Sequence, residues 1–148
     1  MSNRDAVPFE TTLFVRDHCL CLHVQRAARV LARRFDDALR PTGLSHGQFS
    51  LLMALNRPEP ASIGALASLL AMDRTTLTAN LKPLERRGLA TVAVDPADRR
   101  GRSVLLTSQG HEALRAALPL WRRTLEAVES ELPPPGADPL RAGLQALT

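Results

Sequence analysis

The 148-residue sequence lacks any apolar run near the roughly 18 residues that a membrane-spanning helix requires. Its start, Met1 to Glu10, also lacks the basic-then-apolar order of a secretion signal, which leads to the expectation of a protein that stays in the cytoplasm, with no membrane partner. There are only two cysteines, Cys19 and Cys21. They stand two apart in an expected helix, where their side chains point to different faces, so they form no disulfide framework. Lysine is almost missing: Lys82 is the only one, and arginine supplies the other cationic side chains. No glycine-rich phosphate loop is present, no complete set of metal ligands, and no nucleophile with a neighbouring base at a recognisable spacing. The four histidines, at positions 18, 23, 46 and 111, are dispersed. The sequence therefore argues against an enzyme and calls for no cofactor. Apart from Pro133-Pro134-Pro135-Gly136, the prolines and glycines are scattered singly, which excludes a low-complexity tract or a long flexible linker, and no internal repeat appears.

What is present is the balance of an ordinary globular chain, 45% apolar and 23% charged, of a length that fits one domain. The net charge of +4 and a sequence pI near 10.4 point to a polyanionic partner, provided the charge is gathered in one place.

From about Thr12 to Arg40, the apolar residues Leu20, Val24, Ala27, Leu31, Phe35 and Leu39 recur every three or four positions, which predicts one long amphipathic helix. Pro41-Thr42-Gly43 ends it. Ser45 and Gln48 have the spacing of a capping box for a second helix that turns Phe49, Leu52 and Leu55 inward. Ile63, Leu66, Ala67 and Leu70 predict a short third helix. Asp73 can cap a fourth that runs to about Arg87 and closes on Gly88. Leu89 to Val94 and Ser103 to Thr107 read as two strands around a polar, basic tip. After Gly110, Leu114, Leu118, Trp121, Leu125, Val128 and Leu132 form a coiled-coil-like stripe that needs a partner, with a bend expected at Pro119. A last short helix is expected over Asp138 to Leu147.

Two helices joined by a tight turn and followed by a basic-tipped hairpin make a winged helix-turn-helix, mainly α with a small β-hairpin wing. On the fourth helix, Leu77, Leu81 and Leu84 face inward. This leaves Thr75, Thr78, Ala79, Lys82 and Arg86 outward, with Arg74 in the first turn and no acidic side chain expected on that stripe. Threonine methyls suit thymine methyls, Arg74 suits a guanine edge, and Lys82 and Arg86 suit phosphates. Arg99, Arg100 and Arg102 at the hairpin tip suit a narrow minor groove. From Asp73 to Arg102 there are seven basic residues against four acidic ones, the excess being concentrated at that tip. Pro83 removes one backbone bond, to Ala79, and predicts a mild bend at the far end of the fourth helix.

In order and spacing, Leu66-Ala67 through Leu77-Thr78, Leu84-Glu85-Arg86-Arg87-Gly88-Leu89, Asp95-Pro96-Ala97-Asp98-Arg99-Arg100-Gly101 and Leu106-Thr107-Ser108-Gln109-Gly110 resemble the signature of the MarR (multiple antibiotic resistance regulator) family. The similarity extends from the first long helix to about Leu132. It implies a transcriptional regulator, by default a repressor, that binds a palindromic double-stranded operator as a homodimer, with half-sites about one helical turn apart. Residues 1–40 would be a dimerisation helix and arm, 41–107 the winged helix-turn-helix, and 108–148 the remaining dimerisation helices. The family's wing motif Asp-x-Arg falls on Asp98 and Arg100, implying that Asp98 braces Arg100 for the minor groove. Val92 stands where such proteins commonly carry an arginine.

The resemblance also implies release of DNA by a small aromatic effector, an oxidant or a metal. The one suggestive cluster is His18-Cys19-Leu20-Cys21-Leu22-His23. Cys19, Cys21 and His23 are its candidate sensing residues, with Cys19 and His23 spaced for one helical face. Three readings stand: a small buried cysteine beside surface histidines, a thiol open to oxidation, or a metal site, for which two ligands do not suffice. The alternative function is a winged helix that makes only protein contacts.

Overall fold

A computed structural model describes residues 6–148 and divides the chain into two compact units, Met1–Arg34 and Phe35–Thr148. In the first, the expected long helix is two: α1 (Phe9–His18) and α2 (Leu20–Leu39), the latter running on into the second unit. The break is Cys19, which is extended at φ −74° and ψ 105°. Its thiol accepts the Leu22 N–H at 3.4 Å, as a helix-capping side chain would, and its own N–H still reaches the Val15 carbonyl at 2.9 Å. No glycine or proline marks the spot, and the apolar spacing carries straight through it. That is why periodicity alone predicts one helix. Phe9, Phe14, Leu20, Val24 and Val30 are all exposed in the single chain.

The second unit is organised around buried leucines. A 3-10 turn (Arg40–Thr42) ends on Gly43 in the left-handed region, at φ 72°. There the Arg87 guanidinium donates to the Gly43 carbonyl at 2.9 Å. α3 (His46–Leu55) starts with the complete Ser45/Gln48 capping box and buries Phe49, Leu51, Leu52 and Leu55. His46 is tied down by Asp36, whose Oδ1 accepts from the His46 backbone N–H at 2.7 Å and faces the ring Nδ1 at 2.9 Å. α4 (Ile63–Leu69) buries Leu66 and Ala67, and α5 (Arg74–Arg86) buries Leu77, Leu81 and Leu84. These residues meet Leu39, Leu44, Ala90, Val104, Leu114 and Ala117 in one core, at whose edge Phe49 stacks on Trp121 with ring centroids 5.7 Å apart.

The hairpin of β2 (Ala90–Val94) and β3 (Arg102–Leu106) pairs antiparallel with Val92 opposite Val104. A third strand that the sequence reading misses, β1 (Ala61–Ser62), pairs with the other edge of β3, so the sheet order is β1-β3-β2. Two residues cannot show an alternating pattern, and only their pairing makes them a strand.

α6 spans Ser108–Ser130. Gly110 lies buried inside its first turn, where a β-carbon would fall 2.2 Å from the Leu89 carbonyl oxygen and 2.6 Å from Leu106 Cδ1. Thr107 caps the helix: its hydroxyl donates to the Gly88 carbonyl at 2.6 Å and accepts from Gly110 N–H at 3.0 Å. Pro119 and Pro83 stay within single continuous helices. Pro119 is exposed, so the carbonyl it leaves unpaired can be solvated. α7 (Ala137–Gln145) follows Gly136 and sets Arg141 against Glu129 of α6 and its own Asp138.

Candidate nucleic-acid interface

Asp73 positions the start of α5. One carboxylate oxygen accepts the Thr76 N–H and the other the Thr76 hydroxyl, both at 2.8 Å. These bonds, the one from the Thr76 backbone foremost, hold its carboxyl below the usual aspartate range. The turn from α4 is tight, with Ala71 at φ 50°. With Leu77, Leu81 and Leu84 committed to the core, Thr75, Thr78, Ala79, Lys82 and Arg86 are exposed on the other side, as expected.

Three details depart from the sequence reading. Glu85 is exposed and shares a shallow depression with Lys82 and Arg86, so the outer face is not free of acid. The Thr78 hydroxyl is turned back onto the Arg74 carbonyl at 2.8 Å. The Arg74 guanidinium lies over Gly64 in α4, where a β-carbon would come within 2.8 Å of Nη2.

The wing tip is shaped by its acids. Asp95 accepts from Ala97 N–H at 2.9 Å and Asp98 from Arg100 N–H at 3.0 Å. The turn is then closed by Gly101 N–H on the Asp98 carbonyl and Asp95 N–H on the Gly101 carbonyl. The contact from Asp98 to Arg100 is thus made at the backbone. Arg99, Arg100 and Arg102 are exposed, with Arg102 also donating to the Gly101 carbonyl at 3.2 Å. Val92 packs against the core.

In the first unit, Cys19 is half-buried and Cys21 exposed, so in the single chain neither is the fully buried apolar residue of the simplest reading. Although Cys19 is extended, its carbonyl still accepts from His23 N–H at 3.1 Å, and the His23 ring Nδ1 sits 2.7 Å from the same oxygen. His18 stacks on Phe14 with its ring Nδ1 2.8 Å from the Phe14 carbonyl, and Cys21 Sγ accepts from Gln25 at 3.4 Å. Among the described residues, no three His, Cys, Asp or Glu side chains are grouped to hold a metal. No helix among them is long and apolar enough to cross a membrane.

A short helix, a tight turn, a second helix with a polar outer face and a three-stranded wing together define a winged helix-turn-helix protein. Residues 42–101 match the model of the MarR family. The chain is 32% identical over 133 residues to the transcriptional repressor MprA of Escherichia coli, covering 88% of this chain and 72% of that one. It belongs to the MarR family, whose members are transcriptional regulators rather than enzymes. Among solved structures, the M. tuberculosis transcriptional regulator MosR in complex with DNA superposes with a TM-score of 0.81 at 35% identity, over 88% of this chain and 93% of that one. BpsR of Bordetella bronchiseptica, whose DNA binding is regulated by 6-hydroxynicotinic acid, gives a TM-score of 0.72 at 25% identity, over 88% and 90% of the two chains.

Proposed function

We propose that this chain is a cytoplasmic, sequence-specific DNA-binding transcriptional regulator that acts as a homodimeric repressor on a palindromic operator. The observation that carries the reading is the pairing of two features on one compact unit: the outward stripe of α5 and a wing tip bearing Arg99, Arg100 and Arg102. Thr75, Thr78 and Ala79 meet base edges in the major groove, and Lys82 and Arg86 meet phosphates. The wing arginines enter the adjacent minor groove, with Asp98 fixing the backbone of Arg100. The complex of the related MosR with DNA supports this docking.

Dimerisation falls to residues 1–40 and 108–148, around the winged helix-turn-helix of 41–107. In the single chain, α1 and α2 expose Phe9, Phe14, Leu20 and Val24, and α7 exposes Leu140 and Leu144. Apolar surface of this kind favours a second copy. Release from DNA is by a small aromatic effector, a reading supported by BpsR, or by thiol oxidation at exposed Cys21 or half-buried Cys19.

Fluorescence anisotropy of the purified protein with the DNA upstream of its own gene, against a scrambled duplex of equal length at physiological salt, tests the reading. A clear preference for the upstream duplex supports it, with Arg100→Ala weakening binding to every duplex and Thr78→Ala altering the preference between duplexes. Equal, weak binding to both, with both variants behaving like the parent, refutes the docking and favours a winged helix used for protein contacts.

A further inference from the structure

Arg74 is read from the sequence as a guanine contact, but its side chain lies on the neighbouring helix. Its guanidinium folds back across the first turn of α4, onto Gly64. A β-carbon at position 64 would lie 2.8 Å from Nη2, 3.5 Å from Cζ and 3.9 Å from Nε. The side chain therefore rests where only a hydrogen projects from the helix beneath it. Nothing acidic holds it there: Asp73 is engaged by Thr76, and among the described residues Arg74 forms no ion pair. It remains exposed and cationic.

The location decides what such a cation can reach. In a docked helix-turn-helix, the second helix lies in the major groove while the first crosses the phosphate backbone. A guanidinium laid on the start of the first helix faces the backbone, and its planar fork suits two phosphate oxygens. The base edges are left to the outward stripe of α5.

We propose that Gly64 is a positioning residue for DNA binding: it leaves the space in which Arg74 lies, so that Arg74 clamps a phosphate and Thr75, Thr78 and Ala79 read the bases. This assignment rests on the DNA-binding reading above. It makes affinity, and not sequence preference, the property that Arg74 and Gly64 control. Gly64→Ala is tolerated by the fold, because its β-carbon meets only the far end of a flexible side chain.

The test is selection by the full-length protein from a pool of random 24-base-pair duplexes, followed by titration of the enriched duplex at several salt concentrations. Arg74→Ala should enrich the same consensus as the parent, bind every duplex about tenfold more weakly and lower the slope of log affinity against log salt by about one for each clamp lost. Gly64→Ala should weaken binding in the same way while melting at or above the parent temperature, and should have no further effect in an Arg74→Ala background. A merely structural glycine would not give that coupling. Loss of a selected guanine from the Arg74→Ala consensus would show that Arg74 reads a base and overturn the proposal. So would Gly64→Ala binding like the parent, or adding its full effect to Arg74→Ala. If the parent enriches no duplex at all, the DNA-binding reading itself falls.

Discussion

Replacing Gly110 with alanine tests how the wing is joined to the long helix behind it. The added β-carbon would stand 2.2 Å from the Leu89 carbonyl oxygen and 2.6 Å from Leu106 Cδ1. Carbon and oxygen rest at roughly 3.4 Å or more, so the first turn of α6 must move about 1 Å away from the base of the hairpin. The opposing atom is backbone and is itself engaged, since the Leu89 carbonyl accepts from Thr107 N–H at 3.1 Å. Relief by a rotamer change is therefore closed. Over-packing of this kind costs about 1–3 kcal/mol and occasionally more, and the alanine returns only about 0.5–1 kcal/mol of helix propensity. With the clash at the upper end of its range, the net loss is about 2 kcal/mol, a fall in melting temperature of roughly 4–8 °C for a chain of this size. The assay is thermal and urea unfolding followed by circular dichroism. Gly47→Ala serves as the control: its β-carbon would find only Ser45 Oγ at 4.0 Å, so stability should rise by about 0.5 kcal/mol. A Gly110→Ala protein within about 0.5 kcal/mol of the parent would refute the close approach of α6 to the hairpin, and with it the way the wing is anchored.

Leu77→Ala should cost about 2–5 kcal/mol, because Leu77 is fully buried beneath the outward stripe of α5, and urea unfolding reads the loss directly. Asp36 is held below the ordinary aspartate range first by the His46 backbone N–H and then by the His46 ring, and Asp73 first by the Thr76 backbone N–H and then by its hydroxyl. A carboxyl depressed in the folded state adds stability above its unfolded pKa of about 3.9 and loses it as the pH falls through the lower folded value. Urea midpoints should therefore be flat in this respect from pH 7 to about 5 and fall below about pH 4, with a shallower fall in Asp36→Asn. An unchanged acid limb in that variant would count against the tie from Asp36 to α3. Cys21, which is exposed, should react with a thiol reagent faster than Cys19, which is half-buried and accepts from Leu22 N–H. The single variants Cys19→Ser and Cys21→Ser separate the two rates, and the reverse order would contradict the capping role of Cys19.

The features legible in the sequence were those set by neighbours a few positions apart. The Ser45/Gln48 box, the Asp73 cap, the Leu77, Leu81 and Leu84 face and the left-handed Gly88 all depend on bonds or spacings within one or two turns. They stand where the pattern predicts. From them followed the winged-helix order, the outward stripe of α5 and the three arginines at the wing tip.

Contacts across space decided the rest. β1 exists only because Ala61 and Ser62 lie against Val104 and Ser103. Gly110 gives no local sign that Leu89 is brought against it, and nothing in the local chain tells Arg74 that Gly64 will lie beneath its guanidinium. The break at Cys19 leaves the apolar period on either side intact, so only the extended backbone and the thiol-capped Leu22 N–H reveal it. Periodicity and caps are short-range properties that any stretch of chain carries with it, so the sequence alone determined the elements and the chemistry of their faces. Strand pairing, close approach and side-chain parking need partners many residues away. Only the tertiary structure could decide which strand joins the wing and which cation rests on α4.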